Sequence, residues 1–189
     1  VEGARNTPPL VLVFIFYFFV SEQLFPSTGL EAAVRSLSPE VRGVITFLFA
    51  PPARLSAFLT AILTLALYEG AYITEIVRAG IQSVERGQWE AARALGLSPW
   101  QQVRYVVGPQ ALARTVPPLA GQFVSTIKDS AIVSVIAIAE LTFQGQELMA
   151  ATFLTFEVWI TVLLLYFVLC FSLSLAARKL EAAMSRPSS

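Results

Sequence analysis

Four stretches of this chain are each long and apolar enough to cross a lipid bilayer, and this constrains the fold more than any other feature. A hydrocarbon core about 30 Å thick needs roughly 20 mostly apolar residues in helical form. The first stretch runs from about Thr7 to Phe25 and contains the unbroken run Leu10 to Val20. The second runs from about Leu55 to Arg78, with Glu69 and Glu75 inside it. The third, about Pro117 to Ala139, is interrupted by Lys128 and Asp129; the fourth, about Phe153 to Ala177, is the cleanest. Helix is the only workable choice for each, because backbone polar groups in hydrocarbon must be satisfied within their own segment. Composition agrees: 14% of residues are charged, against about 25% in a soluble domain. Too few ionic groups remain to cover a water-facing surface, so lipid solvates much of the chain.

Three connections join these spans. Residues 26–54 carry four prolines and read as an external loop with a short helical or re-entrant piece at Val41 to Phe49. Residues 82–116 are polar and basic, and Leu141 to Thr152 is a short connection without lysine or arginine. Basic residues collect on the cytoplasmic side of a membrane. Arg78, Arg86, Arg93, Arg104 and Arg114 therefore put the middle connection inside, and Arg178, Lys179 and Arg186 put the C-terminus there too. Arg5 falls on the same side, and Arg35, Arg42 and Arg54 lie outside, a bias of nine against three. The expected architecture is an all-α polytopic membrane protein, one transmembrane domain over residues 1–189. The start at Val1, almost directly on an apolar segment, reads as a truncation, and the tail from Ser185 as disordered.

Several functions are excluded by what is missing. There is no histidine and only one cysteine, Cys170, inside an apolar run. That removes the commonest general base and the usual ligands of zinc or haem. No metal or other cofactor is expected, and no catalytic residue. Zero net charge gives no electrostatic case for nucleic acid. No G-x-x-x-x-G-K-[ST] sequence is present to cradle nucleotide phosphates. No internal repeat marks an inverted-repeat carrier.

The informative stretch is "ERGQWEAARALGLSPWQQVRYVVGPQALARTVPP", Glu85 to Pro118. It reads as two short helices. "QWEAARAL" is rich in helix formers, with Glu90 expected near the positive end of the dipole. Gly96 stands where a left-handed C-terminal cap belongs. Ser98, Pro99 and Gln101 form a capping box with proline at the first helical position, which restarts a helix in a new direction. Ala91, Ala92 and Ala94 leave the first helix thin enough to enter a groove on a partner. An ordinary surface helix pair remains the plain alternative.

This stretch resembles the EAA loop of ATP-binding-cassette (ABC) importer permeases: E-A-A, three residues, G, nine residues, I-x-L-P. Here Glu90-Ala91-Ala92 is followed by Gly96 and then Val106-x-Gly108-Pro109, with Gly108 departing from leucine and expected to loosen the second helix. "RNTPPLVLVFIFYF", "YEGAYITEIVRAGIQSVERGQWEAARALGLS" and "FVSTIKDSAIVSVIAIAELT" are similar to segments of the polar amino acid branch. The external insertion 26–54 looks closer to the general L-amino-acid permeases than to the compact histidine or glutamine type. The resemblance implies a MetI-like core of five spans, of which the second to fifth are visible and the first would precede Val1.

It further implies a permease subunit in the bacterial inner (plasma) membrane that hydrolyses nothing itself. Its partners would be a dimer of ABC ATPase subunits, a second permease copy or sister permease, an extracytoplasmic amino-acid-binding protein and the surrounding bilayer. Glu90, Ala91, Ala92, Gly96 and Pro109 would couple it to the ATPase through a helix at roughly Gln88 to Leu95. Lys128 and Asp129, placed mid-span, must face protein or a water-filled cavity, since a charge at the bilayer centre costs about 2.5–3.5 kcal/mol even on lenient scales. Either they pair with another span or mark a kink filled by water, or Asp129 faces a substrate ammonium or guanidinium group. Ser125, Thr126 and Ser130 would then be its neutral hydrogen-bonding neighbours, with Lys128 also on the candidate path. Glu69 and Tyr72 join the candidate path. Glu75 and Arg78 read as an i, i+3 ion pair. Glu140, Glu147 and Glu157 need no special role, and Trp89, Trp100 and Trp159 read as interfacial residues. A secondary carrier or channel subunit is the nearest rival function.

Overall fold

The computed structural model describes Gly3 and residues 6–184, and all their regular structure is helical. In chain order the elements are α1 (Pro9–Thr28), α2 (Leu30–Arg35), α3 (Pro39–Leu48) and α4 (Leu55–Gln82). They continue with α5 (Arg86–Ala94), α6 (Pro99–Ile136), α7 (Leu141–Thr152) and α8 (Thr155–Met184). The four helices α1, α4, α6 and α8 are long and apolar enough to cross a membrane. Arg5, Arg186 and the tail from Ser185 lie outside the described residues.

The third span departs most from its expected limits. It begins at Pro99 rather than Pro117, so the second of the two short helices is the first part of one continuous helical run. Pro109 explains how. It has no N–H and its ring crowds the carbonyl one turn back. The ladder answers by widening to π geometry over Gln102–Val107, and the Gly108 N–H bonds to the Val103 carbonyl. A Cβ on Gly108 would lie 2.6 Å from that carbonyl oxygen. Glycine there lets the wide turn close and the helix run on, rather than loosening it. Regular α-helix continues to Asp129 and then tightens to 3₁₀ over Ser130–Ile136. Lys128 and Asp129 therefore stand at a change of helical pitch, where regular α-helix gives way to 3₁₀.

The Leu141–Thr152 connection is also helix. The Glu140 carboxylate caps it, accepting from the backbone N–H of Phe143 at 2.7 Å and Thr142 at 2.8 Å. Glu140 thus has a structural task that its sequence position did not announce. Residues 26–54 hold α2 as well as a short helix, Pro39–Leu48, where a helical or re-entrant piece at Val41 to Phe49 is expected.

The chain forms two compact units: residues up to Gly70 with Asp129–Leu164, and Ala71–Lys128 with residues from Leu165 on. In the first, Val13 of α1, Ala61 of α4, and Val133 and Ile136 of the 3₁₀ segment share a core. Gly145 of α7 meets Val162 of α8 so closely that a Cβ would sit 2.8 Å from it. Trp159 donates to the Met149 sulfur at 3.2 Å. In the second unit, Val84, Val107 and Ala111 are buried together, with Trp89 against them. Phe14, Phe18 and Phe19 on α1 and most of the α8 side chains point outward, as helices solvated by lipid do.

Candidate functional site

The segment between α4 and α6 is built as a rigid bracket. Pro99, which opens α6, follows Ala92 by seven positions, and every turn between them is closed by hydrogen bonds. The Gly96 N–H bonds to the Arg93 carbonyl at 2.9 Å and the Leu97 N–H to the Ala92 carbonyl at 3.2 Å. These are the two bonds of a Schellman cap, and they require Gly96 at its observed φ of 73°. Ser98 then caps the next helix reciprocally: its N–H donates to the Gln101 side chain at 2.8 Å, and its hydroxyl accepts from the Gln101 N–H at 3.4 Å. Gln102, buried, donates to the Leu97 carbonyl at 2.7 Å.

Two further anchors tie this bracket to the spans within its unit. Arg114 donates to the carbonyl of Ser83, and Gln110 donates to the Gln88 side chain at 3.2 Å. Gly80 at the end of α4 lies against Thr115 of α6, so that a Cβ there would fall 1.9 Å from the Thr115 hydroxyl. Burying a valine-sized side chain stabilises by about 1.5–3 kcal/mol and a cap by about 1 kcal/mol. The Val84–Val107–Ala111 cluster therefore contributes more than the caps do, and it makes α5 move with the start of α6.

The predicted coupling residues are disposed unequally on this bracket. Glu90 and Ala91 are exposed, Ala92 is buried at 1%, and Gly96 is exposed at the turn. Ala92 therefore packs inward and does not thin the outer face. Glu90 sits mid-helix, because α5 starts at Arg86 with Glu85 as its N-cap residue; it does not lie near the positive end. Pro109 acts within α6, through the π segment. Trp89 is half-buried against the Val84 cluster. The exposed apolar side chains are Leu95 at 79% and Trp100 at 68%, flanking Gly96 on either side. Sequence reasoning passed over Leu95, Gln102, Ser83, Arg114 and Gly80. The spacing of Val84, Trp89 and Ala92 was the available signal for the inward face.

The candidate path residues divide between the units. Glu69, Asp129 and Ser130 belong to the first, and Tyr72, Ser125 and Lys128 to the second. Glu69 is buried at 4% exposure, whereas Lys128 and Asp129 are both exposed. Among the described residues neither Lys128 nor Asp129 forms an ion pair, so the expected pairing with another span of this chain is not made there. Glu75 and Arg78 do pair, at 3.9 Å. Among the described residues no cluster suited to a metal ion occurs.

Comparison with known proteins agrees with this layout. Residues 2–186 match the family described as binding-protein-dependent transport system inner membrane component. The glutamine transport system permease protein GlnP of Escherichia coli (strain K12) is 41% identical over 184 residues, covering 97% of this chain and 72% of that protein. The L-cystine transport system permease protein TcyB of Bacillus subtilis (strain 168) is 32% identical, covering 98% and 68%. A crystal structure of an amino acid ABC transporter with histidines superposes with a TM-score of 0.65 at 31% identity, covering 93% of this chain and 86% of that one. Four membrane-length helices, the capped bracket between the second and third of them, and a family match over almost the whole length lead to one assignment: the chain belongs to the family of binding-protein-dependent transport system inner membrane components.

Proposed function

We propose that this permease carries amino acids and is driven through α5 and the Gly96 turn by a separate ATPase dimer. The observation behind this reading is the bracket itself: its inner face is fixed to α4 and α6, while Glu90, Ala91 and Leu95 are left outward. A push on the outer face would reach the spans as a rigid-body displacement. The bracket would lie on the cytoplasmic side, as the basic residues require. Nucleotide chemistry belongs to the partner. A second permease, identical or sister, would complete the path, and an extracytoplasmic binding protein would deliver the substrate.

The names of the relatives support an amino acid cargo, since glutamine and L-cystine carriers match over nearly the whole chain. Asp129 is the residue we assign to the substrate ammonium or guanidinium group, with Ser125 and Ser130 as neutral hydrogen-bonding neighbours, Lys128 as the balancing charge, and Glu69 and Tyr72 on α4 completing the path. Exposure of Asp129 at a change of helical pitch, without an ion pair among the described residues, supports this. In proteoliposomes holding the whole transporter, amino acid uptake should require ATP and persist under a protonophore. Asp129→Asn should shift preference away from cationic amino acids by about tenfold, the scale of one lost charge interaction of about 1.4 kcal/mol. Uptake that collapses with the proton gradient would favour a secondary carrier, and unchanged selectivity would remove Asp129 from the path.

A further inference from the structure

The first compact unit contains a cleft of about 340 Å³ that no candidate path residue lines. That is the lower end of the roughly 300–1,000 Å³ range of small-molecule sites. Glu22 of α1, Glu31 of α2, Arg54 and Ser56 at the start of α4, and Ala137 just beyond α6 face into it.

The charges in this cleft are not used up by one another. Arg54 donates to the Ala137 carbonyl at 3.3 Å and lies 6.0 Å from the centre of the Phe143 ring. Both are neutral anchors, so they orient the guanidinium without cancelling its charge. Glu31 accepts from Ser56 at 2.8 Å and pairs with Arg35 at 3.7 Å. Glu22 faces the neutral Tyr17 hydroxyl. Among the described residues no ion pair joins Arg54 to Glu22 or Glu31. Side chains placed merely to bridge the helices would close to within 4 Å of each other. Here a cation and an anion line one small cavity and are held apart. The backbone is strained as well. Ala137 sits at φ 57°, a left-handed conformation costing about 1–2 kcal/mol for a non-glycine residue. That conformation belongs to the residue whose carbonyl holds Arg54, and such strain concentrates at functional sites.

We infer that this cleft is a docking site for the zwitterionic head of a free amino acid, with Arg54 taking the α-carboxylate through its planar fork and Glu22 taking the α-ammonium. The chemistry fits: a guanidinium binds a carboxylate with two parallel hydrogen bonds, and the head group common to all amino acids needs one cationic and one anionic partner. Side chains would be left unread, so the site is a station for the amino acid class. It is separate from the selective position assigned to Asp129. The inference rests on the amino acid importer reading above.

The test uses the whole transporter in lipid nanodiscs without its binding protein. Three probes are compared by saturation-transfer NMR: L-glutamine, 4-aminobutanamide, which lacks the α-carboxylate, and glutaramic acid, which lacks the α-ammonium. Wild type should bind glutamine at least tenfold more tightly than either analogue. Arg54→Gln should make glutamine and 4-aminobutanamide equal, and Arg54→Lys should restore part of the difference. Glu22→Gln should make glutamine and glutaramic acid equal. If both variants keep the wild-type order of affinities, or wild type binds no glutamine, the cleft is not this site. Uptake measured alongside separates the two readings: ATP-driven uptake with an unchanged affinity order overturns the cleft alone, whereas no ATP-driven uptake of any amino acid by wild type overturns the importer reading.

Discussion

Replacing Gly96 by proline will leave the chain inserted in the membrane and abolish its ATP-driven uptake and stimulated ATPase activity. The reason is local. Gly96 holds φ at 73°, whereas a proline ring fixes φ near −65°. Proline also removes the N–H that bonds to the Arg93 carbonyl. With both gone, the Schellman cap opens, and α5 loses its fixed angle to the Ser98 capping box. The spans are untouched, since Gly96 is exposed and a side chain there would meet nothing within 4 Å. Gly96→Ala separates conformation from space. It costs about 1–2 kcal/mol of strain, keeps the N–H, and should lower coupled uptake several-fold without ending it. Glu90→Lys should act differently, reversing a charge on the outer face while the bracket stays folded, and should also abolish coupling. Measuring ATPase stimulation together with thermal stability distinguishes a misdirected bracket from a lost one.

Gly80→Val is expected to destabilise the helix pair itself. Any side chain at Gly80 must occupy space within 1.9 Å of the Thr115 hydroxyl, which is buried and bonded to the Ala111 carbonyl at 2.7 Å. Small residues let membrane helices approach this closely. Forcing extra atoms into packed space costs typically 1–3 kcal/mol and displaces backbone. Because Val84, Val107 and Ala111 are buried in the same unit, the displacement should loosen the bracket as well. Gly80→Ala should lower the unfolding temperature in detergent by several degrees, and Gly80→Val should leave little folded protein. Thr115→Ala removes the hydroxyl and leaves the Thr115 Cβ at 3.1 Å and the Ala111 carbonyl oxygen at 3.4 Å as neighbours, far milder contacts. The double change Gly80→Ala with Thr115→Ala should therefore recover most of the loss. A double mutant no more stable than Gly80→Ala would show that the contact is not the cause.

Much of this arrangement was legible in the sequence, for identifiable reasons. The four spans were readable because hydrocarbon imposes length and apolarity on each segment independently of its neighbours. The Gly96 turn and the Ser98 box were readable because caps are set by a few adjacent residues. The start of α6 was misplaced because the polar stretch before Pro117 hid a continuous helix, and the π turns that carry it past Pro109 depend on Gly108 meeting the Val103 carbonyl. The helix Leu141–Thr152 was missed because its apolar residues gather on no single face and its cap, Glu140, looks like an ordinary surface acid. Ala92 was misread because the sequence of α5 alone does not say which face its own chain covers. The cleft around Arg54 draws on α1, α2, α4 and the turn after α6. Nothing in the spacing of those residues brings them together before the chain folds.

The central claim is that the outer face of α5 and the Gly96 turn meets the nucleotide-driven subunit. A photo-activated cross-linker placed at Leu95, exposed at 79%, tests this most directly in the assembled transporter, with the same group at Phe47 of α3, in the loop expected from the sequence to be external, as the control. The account predicts an adduct between Leu95 and the ATPase subunit, with a yield that changes on ATP addition, and none from Phe47. An ATPase adduct from Phe47 and none from Leu95 would contradict it.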